Sequence, residues 1–499
     1  MTDGPPLSPS PIDAATTPEA PADLDTIKTA VAPGEPPIYA STALKAGSPP
    51  PHSIALDRPT NVRYTVLAWT CSLSMLTYID RVCISRVRGD MQDSLGLTET
   101  DFGWIFGAFG LAYAAFEVPS GWLGDRFGPR IVLTRIVLWW SLFTALTGLV
   151  WQFSYPIGFG LVLNSFVVLL IVRFLFGMGE AGAYPNSARA LRNWFPYSRR
   201  GMAQGLLWSC GRLGGAMATT VVVVFAMPFG WRGAFIAFGV LGALWALIFA
   251  YFFRNTPSDH PGVNEAERAY IQEKGDEHAK LPISWGSMLR SRTIWCLSGM
   301  YLCSNAGWCF FITWDKKYYE SVLGLESTGL MIAESSPLFF GAIACLAGGF
   351  ITDWQVRILG RRWGRTLQGF ISYGLGACFF VLALVTPRDQ PALSVAFLCA
   401  ASFCKDFAMA VSWSTCIDIG HRYSGTVAGF MNGLGNLGTF FGPLIVAHLA
   451  KQGDWSLALV FSAIMFSIAS VCWLFINPRK VIVYAKADHA NLKAQGVFG

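Results

Sequence analysis

Long apolar stretches recur along this chain too often for it to fold in water. Between Val62 and Asn477 there are twelve, centred near residues 74, 112, 141, 170, 214, 242, 304, 340, 376, 404, 436 and 466, or about 35 residues each with its loop. The run Trp455 to Ile476 carries no charge at all. A helix needs about 20 apolar residues to cross a bilayer, and connections this short suit neighbouring membrane helices. Only 14% of the residues are charged, against roughly 25% in soluble proteins. The pattern predicts an all-α membrane protein of twelve transmembrane helices, with the lipid bilayer as its solvent.

The remaining composition narrows the function classes. A net charge of +6, scattered along the chain, gives no footprint for nucleic acid. The twelve cysteines and six histidines are dispersed, with no CxxC and no Cys/His cluster, so neither a metal site nor a cofactor is expected. Residues 1–60 are rich in Pro, Ala, Ser and Thr and lack a signal peptide's basic start and apolar stretch, which reads as a disordered cytoplasmic tail.

Arginines mark one side of the membrane. Loops after even-numbered spans hold Arg126 and Arg130, then Arg189, Arg192, Arg199 and Arg200, then Arg357, Arg361, Arg362 and Arg365; the opposite loops hold chiefly Arg86, Arg88, Lys316 and Lys317. The positive-inside rule then places both termini in the cytoplasm. The polar connection 254–292 contains Asn264-Glu-Ala-Glu267, a capping pattern for a short helix. It separates an N-terminal bundle (61–253) from a C-terminal bundle (293–477), with a cytoplasmic tail over 478–499.

The two bundles repeat each other. Gly121-x3-Asp125 recurs 228 residues later as Gly349-x3-Asp353, and Gly201-x3-Gly205-x5-Gly211-x2-Gly214 recurs 224 residues later from Gly425 to Gly438. Two independent matches at nearly one offset indicate a duplicated six-helix unit, an arrangement in which a substrate site lies between halves near the midplane.

Charges inside the spans point to that site. Asp80, Arg81, Glu117, Arg173, Glu180, Arg212, Lys405 and Asp406 make four positive and four negative groups. Facing lipid, all eight would cost on the order of 24 kcal/mol, so they are expected to point inward, as ion pairs between helices or as ligand contacts. Arg173, Gly177, Glu180, Ala181 and Tyr184 share one face of a continuous fourth helix, which sets Arg173 and Glu180 about 10 Å apart, too far to touch. Tyr113 and Glu117 share a face of the second helix, and Gln204, Trp208 and Arg212 one of the fifth. An arginine fork suits a carboxylate. In the second half Trp413, Asn432 and Asn436 are milder; Asn436 stands, by the repeat offset, where Arg212 stands. The asymmetry suggests a ligand with a carboxylate end and a polyhydroxyl end; hydrogen bonds between helices are the alternative reading of the asparagines.

Gly121-Trp-Leu-Gly-Asp125-Arg126-Phe-Gly-Pro-Arg130 resembles the loop signature of the major facilitator superfamily. Tyr78-Ile-Asp80-Arg81, the stretch Arg173 to Asn186, and Pro257-Ser-Asp-His260-Pro-Gly-Val-Asn264-Glu-Ala-Glu267 resemble its anion:cation symporter family. The resemblance spans about Val62 to Asn477. It implies the major facilitator fold of two pseudo-symmetric six-helix bundles, commonly working as a monomer in a bacterial inner membrane. It also implies proton symport of a small organic anion, a sugar acid such as a hexonate, hexarate or hexuronate. On matching residues, Arg81, Tyr113 and Arg173 would contact substrate with Trp413 and Asn432, and Asp80 and Glu180 would carry protons. Asp125, Arg126, Arg130 and Asp353 would gate. Glu117 and Arg212 depart from the family pattern with opposite signs. Either they pair with each other, or Arg212 is a third anion-binding arginine favouring a dicarboxylate or uronate, with Asn436 opposite it. Tyr78, Lys405 and Asp406 would support the site. Uniport or exchange remains open beside symport; a membrane-embedded enzyme or a sensor lacks any supporting motif.

Overall fold

The computed structural model describes residues 58–158, 161–271, 282–449 and 455–484. The chain divides into two units, Met1–Ala55 and Leu56–Gly499, and the described residues all belong to the second. The expected disordered tail lies outside the described residues up to residue 57, as does the expected C-terminal tail from residue 485.

The first half runs through α1 (Val62–Arg86), α2 (Arg88–Leu95), α3 (Glu99–Phe127), α4 (Pro129–Gly148), α5 (Ser165–Glu180), α6 (Ala183–Trp194) and α7 (Arg200–Phe252). In the connection lie α8 (Glu265–Ile271) and α9 (Trp285–Leu289). The second half holds α10 (Arg292–Cys309), α11 (Asp315–Ser321), α12 (Ser327–Val385), α13 (Pro391–Phe407), α14 (Met409–Gly420), α15 (Ser424–Leu449) and α16 (Ser456–Leu474). Gly230 (φ 64°) breaks α7 and Gly360 (φ 73°) breaks α12, so each supplies two of the expected passes. Only glycine takes such backbone angles without strain. The pairs α5–α6, α10–α11 and α13–α14 each form one pass, which yields the twelve-helix architecture.

By length and apolarity alone, seven described stretches could cross a membrane, two of them, Ser327–Val385 and Pro391–Val446, long enough to do so twice. The remaining passes, α1, α7 before Gly230 and α10, fall short because they carry the polar groups that face the interior. Large apolar side chains such as Leu142, Leu244, Phe350 and Leu444 stand half-exposed on the outside, as a surface solvated by lipid requires.

Three local features depart from the sequence expectation. The fourth pass is not a continuous helix: Gly182 sits at φ 89° between α5 and α6. A side chain there would collide with Ser120 of α3, so the break lets two helices approach. The α4–α5 loop forms a small antiparallel hairpin, β1 (Ser154–Gly158) and β2 (Leu161–Asn164). The start of the expected C-terminal tail is docked. Val481, Ile482, Val483 and Tyr484 are buried, Ile482 N–H donates to the Ile419 carbonyl (3.1 Å), and Ser284 N–H donates to that of Val483 (2.8 Å).

Within the halves, α1 and α4 line up on α7, and α10 and α12 on α16. The halves meet through two crossings, α3 on α15 and α7 on α12. Both crossings use the duplicated glycines. A Cβ at Gly121 would strike the Gly425 carbonyl, and one at Gly205 the Cys345 carbonyl and Gly349. Backbones approach this closely only where side chains are missing. In the connection, Asn264 Oδ1 accepts from Glu267 N–H at 2.9 Å and opens α8. The Glu267 carboxylate in turn accepts from the N–H groups of Val62 (3.0 Å) and Arg63 (3.1 Å), so α8 caps the free N-terminus of α1.

Candidate functional site

Each motif aspartate holds the first turn of a helix from the other half. Asp125, near the end of α3, accepts from Gly425 N–H (3.1 Å), Thr426 N–H (2.6 Å) and the Thr426 hydroxyl (2.7 Å) at the start of α15. Asp353, in α12, accepts from Gly201 N–H (2.9 Å) and Met202 N–H (2.8 Å) at the start of α7. A carboxylate on a helix N-terminus satisfies orphaned N–H groups and the positive end of the dipole. The 224-residue spacing of the glycine motif is therefore the spacing of two equivalent caps. Beside them Asp418 takes Arg365 (3.1 Å) and Arg200 (3.9 Å), and Arg189 reaches Asp125 (3.4 Å). This end of the molecule is shut. Arg126 and Arg130, expected in the same latch, act within the first half. Arg126 lies over the Trp122 and Phe127 rings, and Arg130 donates to the Ala250 carbonyl and Asn255.

Away from the shut end, a cavity of about 420 Å³ opens between the halves, lined by Tyr78, Arg81 and Arg86 of α1, Tyr113, Tyr184, Trp208, Arg212, Tyr301, Trp308, Lys405, Asn432 and Asn436, among others. Its lower wall is aromatic. Tyr184 stacks on Trp208 at 4.2 Å between ring centres, and Trp413 lies 5.1 Å from Trp208.

Arg81 faces this space. Its Nε donates to Glu180 Oε1 at 2.6 Å, its guanidinium sits 4.4 Å from the centre of the Tyr113 ring, and its Nη2 has no hydrogen-bond partner among the described residues. Arg173 lies behind the wall. It is buried over Phe176 and Phe235 and interacts with Asp80 and Cys83 of α1 and with Glu180. Arg173 and Glu180 thus each find an opposite charge on α1, and Arg173 does not border the cavity. Trp413 is also withdrawn: it is fully buried, and its indole N–H donates to the Tyr301 hydroxyl (3.2 Å), which lines the space instead.

Glu117 and Arg212 do not pair. Glu117 Oε1 accepts from Asn432 Nδ2 at 2.7 Å, a bond between α3 and α15 across the halves, and Glu117 is also hydrogen-bonded to Tyr113. Arg212 forks onto Asp406 of α13, Nη2 to Oδ1 at 2.6 Å and Nε to Oδ2 at 2.9 Å, while its Nη1 donates to the Tyr78 hydroxyl at 3.1 Å. Lys405 donates to the same Asp406 Oδ1 at 3.1 Å. Asn436 Nδ2 donates to the Asn432 carbonyl at 2.9 Å. Sequence reasoning missed Asp418, Tyr301, Trp308 and Asn305. Asp418 carried a usable signal, a lone acid within an apolar run, whereas the others look like ordinary span residues.

The "Major Facilitator Superfamily" model matches residues 70–443. A probable sulfoacetate transporter of Cupriavidus necator is 32% identical, over 83% of this chain and 94% of its own length. A probable galactarate/D-glucarate transporter of Bacillus subtilis is 29% identical, over 86% of this chain and 95% of its own. Among solved structures, a proton:xylose symporter superposes with a TM-score of 0.65 at 14% identity, covering 87% of this chain and 98% of that one; at that identity it speaks for the fold alone. With its duplicated caps, its glycine crossings and a family match over most of its length, the chain belongs to the major facilitator superfamily.

Proposed function

We propose that the protein imports a small organic anion, a sugar acid such as a hexonate, hexarate or hexuronate, together with protons by alternating access. It would act as a monomer in a bacterial inner membrane, with both termini in the cytoplasm and residues 61–253 and 293–477 rocking about the connection 254–292. The observation that carries this reading is Arg81, a guanidinium on the wall of an interhalf cavity, held by Glu180 yet with one buried nitrogen unpartnered among the described residues. Similar proteins described as sulfoacetate and galactarate/glucarate transporters support an anionic cargo.

The ion pairing sets the coupling. Arg212 belongs to Asp406, so the first-half cluster is Asp80, Glu117 and Glu180 against Arg81 and Arg173, one net negative charge when all are ionised. An anion is repelled from that state. A proton on Glu180 ends its claim on Arg81, whose fork then turns to the carboxylate of the cargo. A second proton on Asp80 leaves Arg173 uncompensated and brings the cluster to one net positive charge. Protons and anion therefore bind cooperatively. After release, ionised Glu180 recaptures Arg81 and the empty carrier returns. Asn305, Asn436 and Tyr301 on the cavity wall supply hydrogen bonds for hydroxyl groups. The shut end is the arginine-rich one, which the positive-inside rule assigns to the cytoplasm, so the shape described is the outward-facing one.

Uptake of labelled sugar acids into proteoliposomes under an imposed pH gradient tests this. Wild type should accumulate cargo only with the gradient. Glu180→Gln should lose that dependence while retaining counterflow. Gradient-indifferent uptake by wild type would sink the proton coupling.

A further inference from the structure

The cavity wall carries a second cationic group that the scheme above does not use. Arg212 and Lys405 both lie over the Trp308 ring, at 4.8 Å and 4.3 Å from its centre, and both are buried. They share a single carboxylate, Asp406. Two cations against one acid leave one positive charge surplus, in a place where unpaired charge is costly. Asp406 cannot absorb it: both its oxygens are taken by the Arg212 fork, and Lys405 shares one of them. That bond is the one hydrogen bond Lys405 makes among the described residues, which leaves two of its three donors unused. All three of Arg212, Lys405 and Trp308 border the same cavity as Arg81. Tyr78, which accepts from Arg212, precedes Arg81 by three residues on α1, about 4.5 Å along the axis.

We propose that Lys405, with Arg212 and Trp308, forms a second acid-binding subsite, and that the cargo is a short dianion gripped by Arg81 through one ionised acid group and by Lys405 through the other. The inference rests on the anion-transport reading. It adds that the second half contributes charge to recognition as well as hydrogen bonds. The two subsites differ in how they are made ready. Arg81 must first be released by Glu180, whereas Lys405, which shares Asp406 with Arg212, has donors to spare without any such release. A dianion therefore docks first on Lys405 and completes its grip when the first cluster takes up protons. A mono-acid of equal length leaves the Lys405 charge unanswered.

Affinities of the purified full chain, measured by isothermal titration calorimetry at one pH for matched acids, test this: adipate against hexanoate, and glucarate against gluconate. The diacid of each pair should bind at least about tenfold more tightly to wild type, the effect of one additional charge-assisted contact. In Lys405→Gln that ratio should fall towards one, and in Lys405→Arg, which keeps the charge, it should persist. A wild-type ratio at or below one overturns the proposal without any variant, as does a ratio that survives Lys405→Gln. Mono- and diacids binding equally well would leave anion transport standing and remove only the second subsite. Failure of every acid to bind would remove both.

Discussion

Asp125 and Thr426 meet across 301 residues of chain: the carboxylate accepts both the backbone N–H of Thr426, at 2.6 Å, and its hydroxyl, at 2.7 Å. A side chain of one half thus completes a helix of the other, and Asp353 does the same in the opposite direction. Closure of this end is a pair of helix caps made in trans.

Asp125→Asn keeps the shape but loses the charge, and hydrogen bonds to a charged group contribute about 1.5–3 kcal/mol each. The shut end should open in a much larger fraction of molecules. Spin-label distances between the end of α3 and the start of α15 should broaden and lengthen, and Asp353→Asn should have the same effect at the start of α7. Distance distributions matching wild type in both variants would contradict the capping role.

Removing one member of a buried pair strands the other, at roughly 3–5 kcal/mol. Asp406→Asn strands both Arg212 and Lys405 and should lower the melting temperature of the purified protein most; Arg212→Gln, which leaves Asp406 to Lys405, should lower it less, and the double variant should recover part of the Asp406→Asn loss. Lys405 remains to be satisfied in the double variant, so recovery will be incomplete. If Glu117→Gln rescued Arg212→Gln instead, the pairing drawn here would be wrong.

Glu267 supplies a pH signature in the connection. Burial by itself would raise its carboxyl, but the Thr60 hydroxyl, the N–H groups of Arg63 and Val62 and the Arg63 guanidinium hold it below the ordinary 4.5. Because the folded value is the lower one, its stabilisation is complete above the unfolded value and disappears as pH falls through the folded one. The melting temperature of Glu267→Gln should therefore sit below that of wild type by a constant interval above about pH 5.5, and the gap should close below about pH 4.5. A gap that widens on acidification would reverse the assignment.

Gly182→Ala forces a Cβ into a left-handed backbone against Ser120. Such strain costs on the order of 1–3 kcal/mol, so thermal stability should drop and α3 should be pushed from α6. An unchanged melting temperature would mean that the fourth pass runs straight.

The twelve spans, the duplication and the two equivalent aspartates were legible in the sequence, because each depends on local periodicity or on repetition at a fixed offset. Apolar length marks most of the helices that enter the bilayer, and a copied motif reports a copied contact. The eight intramembrane charges were visible too, and so was the expectation that they face inward. Which charge meets which was decided only in three dimensions. Glu117 and Arg212 look complementary on paper, yet Asp406, 194 residues from Arg212, stands closer in space, and Asn432 takes Glu117. Arg173 and Trp413 sit on the right helices but one layer behind the cavity, where Asp80 of α1 engages the first and the Tyr301 hydroxyl the second. Ion pairing follows distances of a few ångströms between helices. Hydrophobic patterning fixes that those helices exist and says nothing about how they are rotated against one another.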